Sequence, residues 1–105
     1  MYAKFEWDPS KAATNLRKHG IDFYTALRAF ADPFAFSERD RVEDVEERWR
    51  TLGLVDGHLL VLVIHTFRDE EEQREPFEII RIISARKADR KERLRYEQEN
   101  RSSHR

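Results

Sequence analysis

The chain has 105 residues and a formal net charge of −1, with 39% of its residues charged and no cysteine. That length makes one domain with a modest core, burying somewhat over ~60% of the unfolded surface, and the missing cysteines exclude disulfides and thiolate metal sites. The near-zero charge hides a sorting by region: residues 32–47 hold seven acids against two bases, 69–78 six against one, and 79–105 nine bases against four acids.

Tyr2 to Trp7 alternates, with Ala3, Phe5 and Trp7 on one side, and predicts a first strand. Asp8-Pro9 opens a helix as cap and first-turn proline; Ala12, Ala13 and Leu16 give it an apolar face, and Gly20 ends it in a left-handed cap. Asp22 starts a second helix, with Phe23, Leu27 and Phe30 on one stripe and Ala26 beside it, until Asp32-Pro33 stops it. Phe34 to Phe36 is a candidate short strand, followed by an acidic loop from Glu38 to Glu46.

Glu47 to Val55, Asp56-Gly57, then His58 to Arg68 reads as a β-hairpin with a type I′ turn. Residues 69–76 are expected to form a charged connection, and Phe77 to Ala85 to return as a strand. Asp89 with Glu92 forms a capping-box pattern for a last helix through about Asn100, anchored by Leu94 and Tyr96. The fold class is therefore α+β: a small antiparallel sheet, two N-terminal helices and one C-terminal helix, in one domain over 1–100 with a disordered tail at 101–105. Leu59 to Ile64 is apolar on both faces, so that strand needs cover on both sides, the second from the last helix or another chain. The last helix has few apolar anchors, so another chain is expected to complete the burial.

The N-terminus lacks the apolar core of a signal peptide, and no apolar run nears the roughly 20 residues of a membrane span. A cytoplasmic protein without membrane contact is expected.

Arg81 sits among Ile79, Ile80, Ile82 and Ile83, and a guanidinium in such a strand needs a partner. Two readings stand open: an ion pair with a glutamate of a neighbouring strand, Glu47 being the candidate, or a phosphate clamp continued by Arg86 and Lys87. His65, with Arg68 three residues on, is either a packed residue or a proton acceptor. His19, beside Lys18 at a helix end, is explained by the helix dipole or by a site. His58 and His104 suggest no role. The histidines lack metal-ligand spacing, and glycine-rich phosphate loops and G-x-S-x-G are absent, so no cofactor is expected. Of the common hydrolytic chemistries, metal-free cleavage of RNA remains, because RNA supplies its own 2′-OH nucleophile.

Taken together, Phe5-Glu6-Trp7-Asp8, Lys11, Asn15, Lys18-His19-Gly20, Asp22-Phe23, Asp32-Pro33, Glu47-Arg48, Gly53, the run Arg81 to Ala88, Glu92-Arg93 and Tyr96-Glu97 resemble the BrnT family of type II toxins. The resemblance implies a RelE-like ribonuclease fold and a ribosome-independent endoribonuclease; that it needs no metal is expected from the missing ligand spacing. It also implies a BrnA-like antitoxin as inhibitor, with operator DNA reached only through that antitoxin. It implies Arg81, Glu47, Arg48, Lys18 and His19 as catalytic candidates and Arg86 and Lys87 as RNA-binding ones. His65, where the family often has another residue, is a catalytic candidate on its ordinary pKa and ranks below Glu47 and Arg81. Arg68, three residues on, is a further RNA-binding candidate. Arg90, Lys91 and Arg93 on the last helix are expected to meet the antitoxin. Two departures stand out: the long acidic segment 69–76, and Asp89 where threonine is common. The alternative is a non-catalytic nucleic-acid-binding or regulatory subunit.

Overall fold

The computed structural model describes residues 2–43 and 45–103; Met1, Asp44, His104 and Arg105 lie outside the described residues. Strand β1 (Tyr2–Glu6) leads into helix α1 (Pro9–His19), helix α2 (Phe23–Arg28) and a 3₁₀ turn at Ala29–Ala31. Strands β2 (Phe36–Glu43), β3 (Glu46–Val55), β4 (Leu59–Glu72) and β5 (Glu75–Lys87) follow, and helix α3 (Arg90–Ser103) ends the chain. The sheet order is β1-β5-β4-β3-β2.

Local chemistry sets the joints. The Asp8 side chain accepts from the Ser10 amide at 2.8 Å, and Gly20 closes α1 at φ 70°. Asp22 accepts from Thr25 N at 2.7 Å to start α2. Asp56 and Gly57 both hold positive φ, as a type I′ turn requires. Asp89 and Glu92 exchange two 2.8 Å bonds, side chain to amide in each direction, completing the capping box.

Four expectations need correction. The sheet is mixed rather than antiparallel throughout, because β1 runs parallel to β5, Tyr2 opposite Phe77 and Glu6 opposite Arg81. Alternation shows which side a residue takes but carries no strand direction. The acidic loop expected from Glu38 is the edge strand β2, whose charges pair across to β3: Glu38 with Arg50 at 3.6 Å and Glu43 with Arg48 at 2.8 Å. The expected charged connection at 69–76 continues the β4–β5 ladder to Glu72 opposite Glu75, turning at Gln73 and Arg74 with φ 51° and 67°. This ladder overhangs the core, so both of its faces are polar. Finally, α3 runs to Ser103, past the end expected near Asn100, and His104 and Arg105 of the expected tail lie outside the described residues.

The two sheet faces carry separate cores. Val55, Val61, Val63, Ile82 and Ala85 pack under Ile21, Phe23, Ala26 and Ala29. Gly53 lets the 3₁₀ turn lie directly on the sheet, since a Cβ there would stand 2.1 Å from the Ala29 carbonyl oxygen. On the other face Leu52, Leu60 and Leu62 are buried with Tyr96 of α3. The chain thus covers Leu60 and Leu62 itself, with no second chain required. Tyr96 is the anchor, while Leu94 is 49% exposed. The Tyr96 hydroxyl donates to Asp32 Oδ2, which also accepts from Leu54 N.

The inward face of α1 differs from the expected one as well. Leu16 is 49% exposed, and Asn15 is buried in its place. Its amide donates to the carbonyls of Ala85 (2.8 Å) and Ile21 (3.0 Å) and accepts from Ala85 N (3.1 Å). β1 pairs with β5 only as far as Arg81, so beyond it Asn15 serves the strand edge as a neighbouring strand would.

Candidate functional site

Register places Glu6, Arg81 and Thr66 side by side on the α3 face of the sheet, toward the end that α3 does not cover. Arg81 Nη1 donates to Glu6 Oε2 at 2.7 Å, and Arg68 Nη2 donates to Glu6 Oε1 at 2.9 Å. The ion-pair reading of Arg81 therefore holds with a different partner: Glu6 across the parallel β1–β5 pair, not Glu47. The burial inferred from four isoleucines is also corrected, since the Arg81 side chain is 40% exposed. Hydrogen bonds from Arg68 and Arg81 hold the Glu6 carboxyl below its ordinary value, against a smaller effect of burial. One carboxylate thus fixes two guanidiniums, leaving other N–H groups of each free to donate.

Arg68 and Arg81 line an open groove of 780 Å³ together with Glu47, Trp49, Thr66 and Phe67. Glu47 reaches this groove without bonding either arginine; its ion pair is with Arg39, at 3.6 Å. Arg48 is paired with Glu43 at 2.8 Å and its side chain is only 20% exposed.

His65 does not belong to this surface. It is fully buried on the opposite face, edge-on to Phe30 and Phe67 with ring centroids 4.9 and 4.6 Å away. Its Nε2 lies 2.7 Å from Thr51 Oγ1, itself 2.6 Å from Ser37 Oγ, and its Nδ1 lies 3.4 Å from the Thr66 carbonyl. The tautomer satisfying every partner has Nδ1–H donating to that carbonyl and Nε2 accepting from Thr51. Burial pushes the imidazole down to about 4. His65 is a core residue, and its candidacy as proton acceptor for RNA falls.

Arg86 is also committed within the chain. Its two terminal nitrogens donate to Glu92 at 2.8 and 2.9 Å, and Arg50 reaches the same carboxylate at 2.8 Å. Burial alone would raise the Glu92 carboxyl, but hydrogen bonds from Arg86 and the Asp89 amide, with both arginine charges, hold it below its ordinary value. This cluster pins α3 to β3 and β5. Lys87, Arg90, Lys91 and Arg93 are exposed, without an ion pair among the described residues.

The stretch from residue 7 to residue 92 matches the family model described as the ribonuclease toxin BrnT of type II toxin–antitoxin systems. The chain belongs to the BrnT family. Among solved structures, the crystal structure of the Brucella abortus ribonuclease toxin BrnT is similar at 23% sequence identity and a TM-score of 0.58, covering 86% of this chain and 100% of that one. That likeness bears out the α+β fold. No curated protein matches the sequence. Among the described residues, no helix is long and apolar enough to cross a membrane.

Within this BrnT chain the candidate residues fall in separate places. Arg81, Arg68 and Glu47 share the groove, whereas Lys18 and His19 line a different cleft, between α1 and β5. Sequence reasoning missed Glu6 as a site residue although Phe5-Glu6-Trp7-Asp8 was among the resembling motifs. Nothing local marks Glu6, because its partners lie 62 and 75 residues away. Glu92 was legible as a helix cap but not as the acid between Arg50 and Arg86.

Proposed function

We propose that this BrnT chain is an endoribonuclease that cuts free RNA without ribosome or metal, and that a BrnA-like antitoxin silences it. The reading is carried by one observation: Arg68 and Arg81 stand together on an open groove, both oriented by Glu6. Two guanidiniums fixed beforehand offer donors to the charge that develops on a phosphodiester under attack, with little reorganisation at the moment of reaction. The 2′-OH attacks phosphorus, its proton passes to the Glu47 carboxylate on the same groove, and the 5′-oxygen leaves with a proton from water. A 2′,3′-cyclic phosphate remains. Arg48, next to Glu47 in the chain, is tied to Glu43 and has no part in the step.

Metal has no assigned part in this scheme, and His65 is spent in the core. The antitoxin's acids are proposed to meet Arg90, Lys91 and Arg93, with operator DNA bound by the antitoxin.

The test is Arg81→Ala, assayed on structured RNA with excess chelator and compared with thermal unfolding. Cleavage should fall roughly 10²–10³-fold, the scale of one lost transition-state donor. Stability should change by no more than ~1 kcal/mol, because the pair with Glu6 is substantially exposed. Normal cleavage by the variant would remove Arg81 from the chemistry. Absence of cleavage by the native chain would favour the non-catalytic binding subunit.

A further inference from the structure

The groove that holds Arg68 and Arg81 is poorly charged for drawing in RNA. Its lining also carries Glu46, Glu47, Asp69 and Glu78, four acids against two arginines. The cleft beside α3 is no better, with Glu38, Asp89 and Glu92 set against Arg50, Lys91 and Arg95. A third cleft differs in kind. Between α1 and the free edge of β5 lies a notch of 280 Å³ lined by Lys11, Lys18 and His19, with the hydroxyl residues Ser10, Thr14 and Ser84 and no carboxylate.

The positive charge there is unspent. Arg48, Arg50, Arg68, Arg81, Arg86 and Arg95 each hold a carboxylate of the chain itself. Lys11, Lys18 and His19 are exposed and have no ion pair among the described residues. Lys11 and Lys18 stand seven residues apart on α1, two turns and about 10.5 Å along its axis, with Thr14 between them on the same side. The notch is also rigid. Asn15 clamps α1 to Ala85 by two bonds, and β5 carries a one-residue bulge at Ile83, where the register steps from Ser84 to Ile82. A bulge of this kind re-aims side chains at a strand edge.

We infer that this notch is a phosphate-binding subsite that anchors the backbone of single-stranded RNA beside the groove. Lys11 and Lys18 supply the charge, and the hydroxyls of Thr14 and Ser84 supply neutral donors to phosphate oxygens. Ser84 lies three residues along β5 from Arg81, about 10 Å at the rise of a strand. A strand of RNA held in the notch can therefore present a neighbouring phosphodiester to Arg81. Lys18 and His19 then act in binding rather than in proton transfer. This inference rests on RNA being the substrate, and its test is a binding measurement that does not depend on cleavage.

The probe is a short single-stranded 2′-O-methyl RNA, which lacks the nucleophile and so stays intact, titrated across a range of salt by fluorescence anisotropy. The paired substitution Lys11→Gln with Lys18→Gln should weaken binding irrespective of sequence. It should also reduce the slope of log affinity on log salt by about 1.4, two phosphate contacts at ~0.7 each. Arg74→Gln, at the tip of the β4–β5 hairpin, should leave both quantities unchanged. An unaltered slope in the lysine variant, an equal loss in Arg74→Gln, or no binding by the native chain at low salt would each overturn the subsite. So would a lysine variant that binds RNA normally but loses the antitoxin. If binding follows the prediction while natural RNA is never cut, the subsite stands and only the proposed catalysis fails.

Discussion

His65 should make the stability of this chain depend on pH well above the range in which carboxylates titrate. The folded imidazole is held at about 4 by burial, while the unfolded chain has an ordinary value near 6.5. A depressed histidine means that the unfolded state takes up the proton first. Stability is complete above pH ~6.5 and is lost progressively as pH falls toward ~4. Between about pH 7.5 and 5 this amounts to ~2 kcal/mol, or roughly 10 °C in melting temperature for a domain of this size. The carboxyls of Glu6 and Glu92 are lowered, so the stability they confer is complete above the ordinary carboxylate value and is lost as pH falls through it toward their lowered folded values. Differential scanning calorimetry of the native chain and of His65→Gln over that span separates the histidine from everything else, because the other histidines are common to both proteins. Glutamine keeps an acceptor for Thr51, whose hydroxyl lies 2.7 Å from Nε2. The variant should be less stable at neutral pH and should show a much flatter fall toward pH 5. Parallel falls in the two proteins would refute the reasoning and place a titrating imidazole outside the core.

Three further expectations follow from particular contacts. Asn15→Ala should cost about 2–4 kcal/mol in chemical denaturation, since it leaves buried backbone groups of Ala85 and Ile21 unpaired; a loss under 1 kcal/mol would mean that water takes its place. Glu92→Gln should cost about 2–4 kcal/mol by stranding the half-buried charges of Arg50 and Arg86, and circular dichroism should show helix lost at α3; unchanged helicity and melting would show that Tyr96 alone docks the helix. Reversing Arg90, Lys91 and Arg93 to glutamate should slow antitoxin association and weaken its dependence on salt. Stopped-flow mixing measures both, and an unchanged rate would exclude the start of α3 from that interface.

What the sequence alone determined here is short-range. Asp8-Pro9, Gly20, Asp22, Asp56-Gly57 and the Asp89–Glu92 box all act within four residues of themselves, so their identity is enough to site the element ends they make. The two-faced apolar run of β4 likewise placed that strand at the centre, because a strand apolar on both sides has nowhere else to lie. The family, too, was legible in motifs distributed along the chain. Tertiary structure decided everything that depended on a partner far away. Glu6 found Arg81 only because β1 runs parallel to β5, and a side-chain pattern of period two is the same in either direction. The charged residues of β2 and of the β4–β5 overhang read as loops, since nothing in their order shows that each ladder has a facing strand. His65 and Asn15 went inside, while Leu16 stayed out, because the polar groups around them, the Thr51 hydroxyl and the Ala85 carbonyl, left hydrogen bonds that an apolar side chain cannot make. Hydropathy ranks side chains one at a time, but burial is settled by the unsatisfied donors and acceptors that folding brings against them.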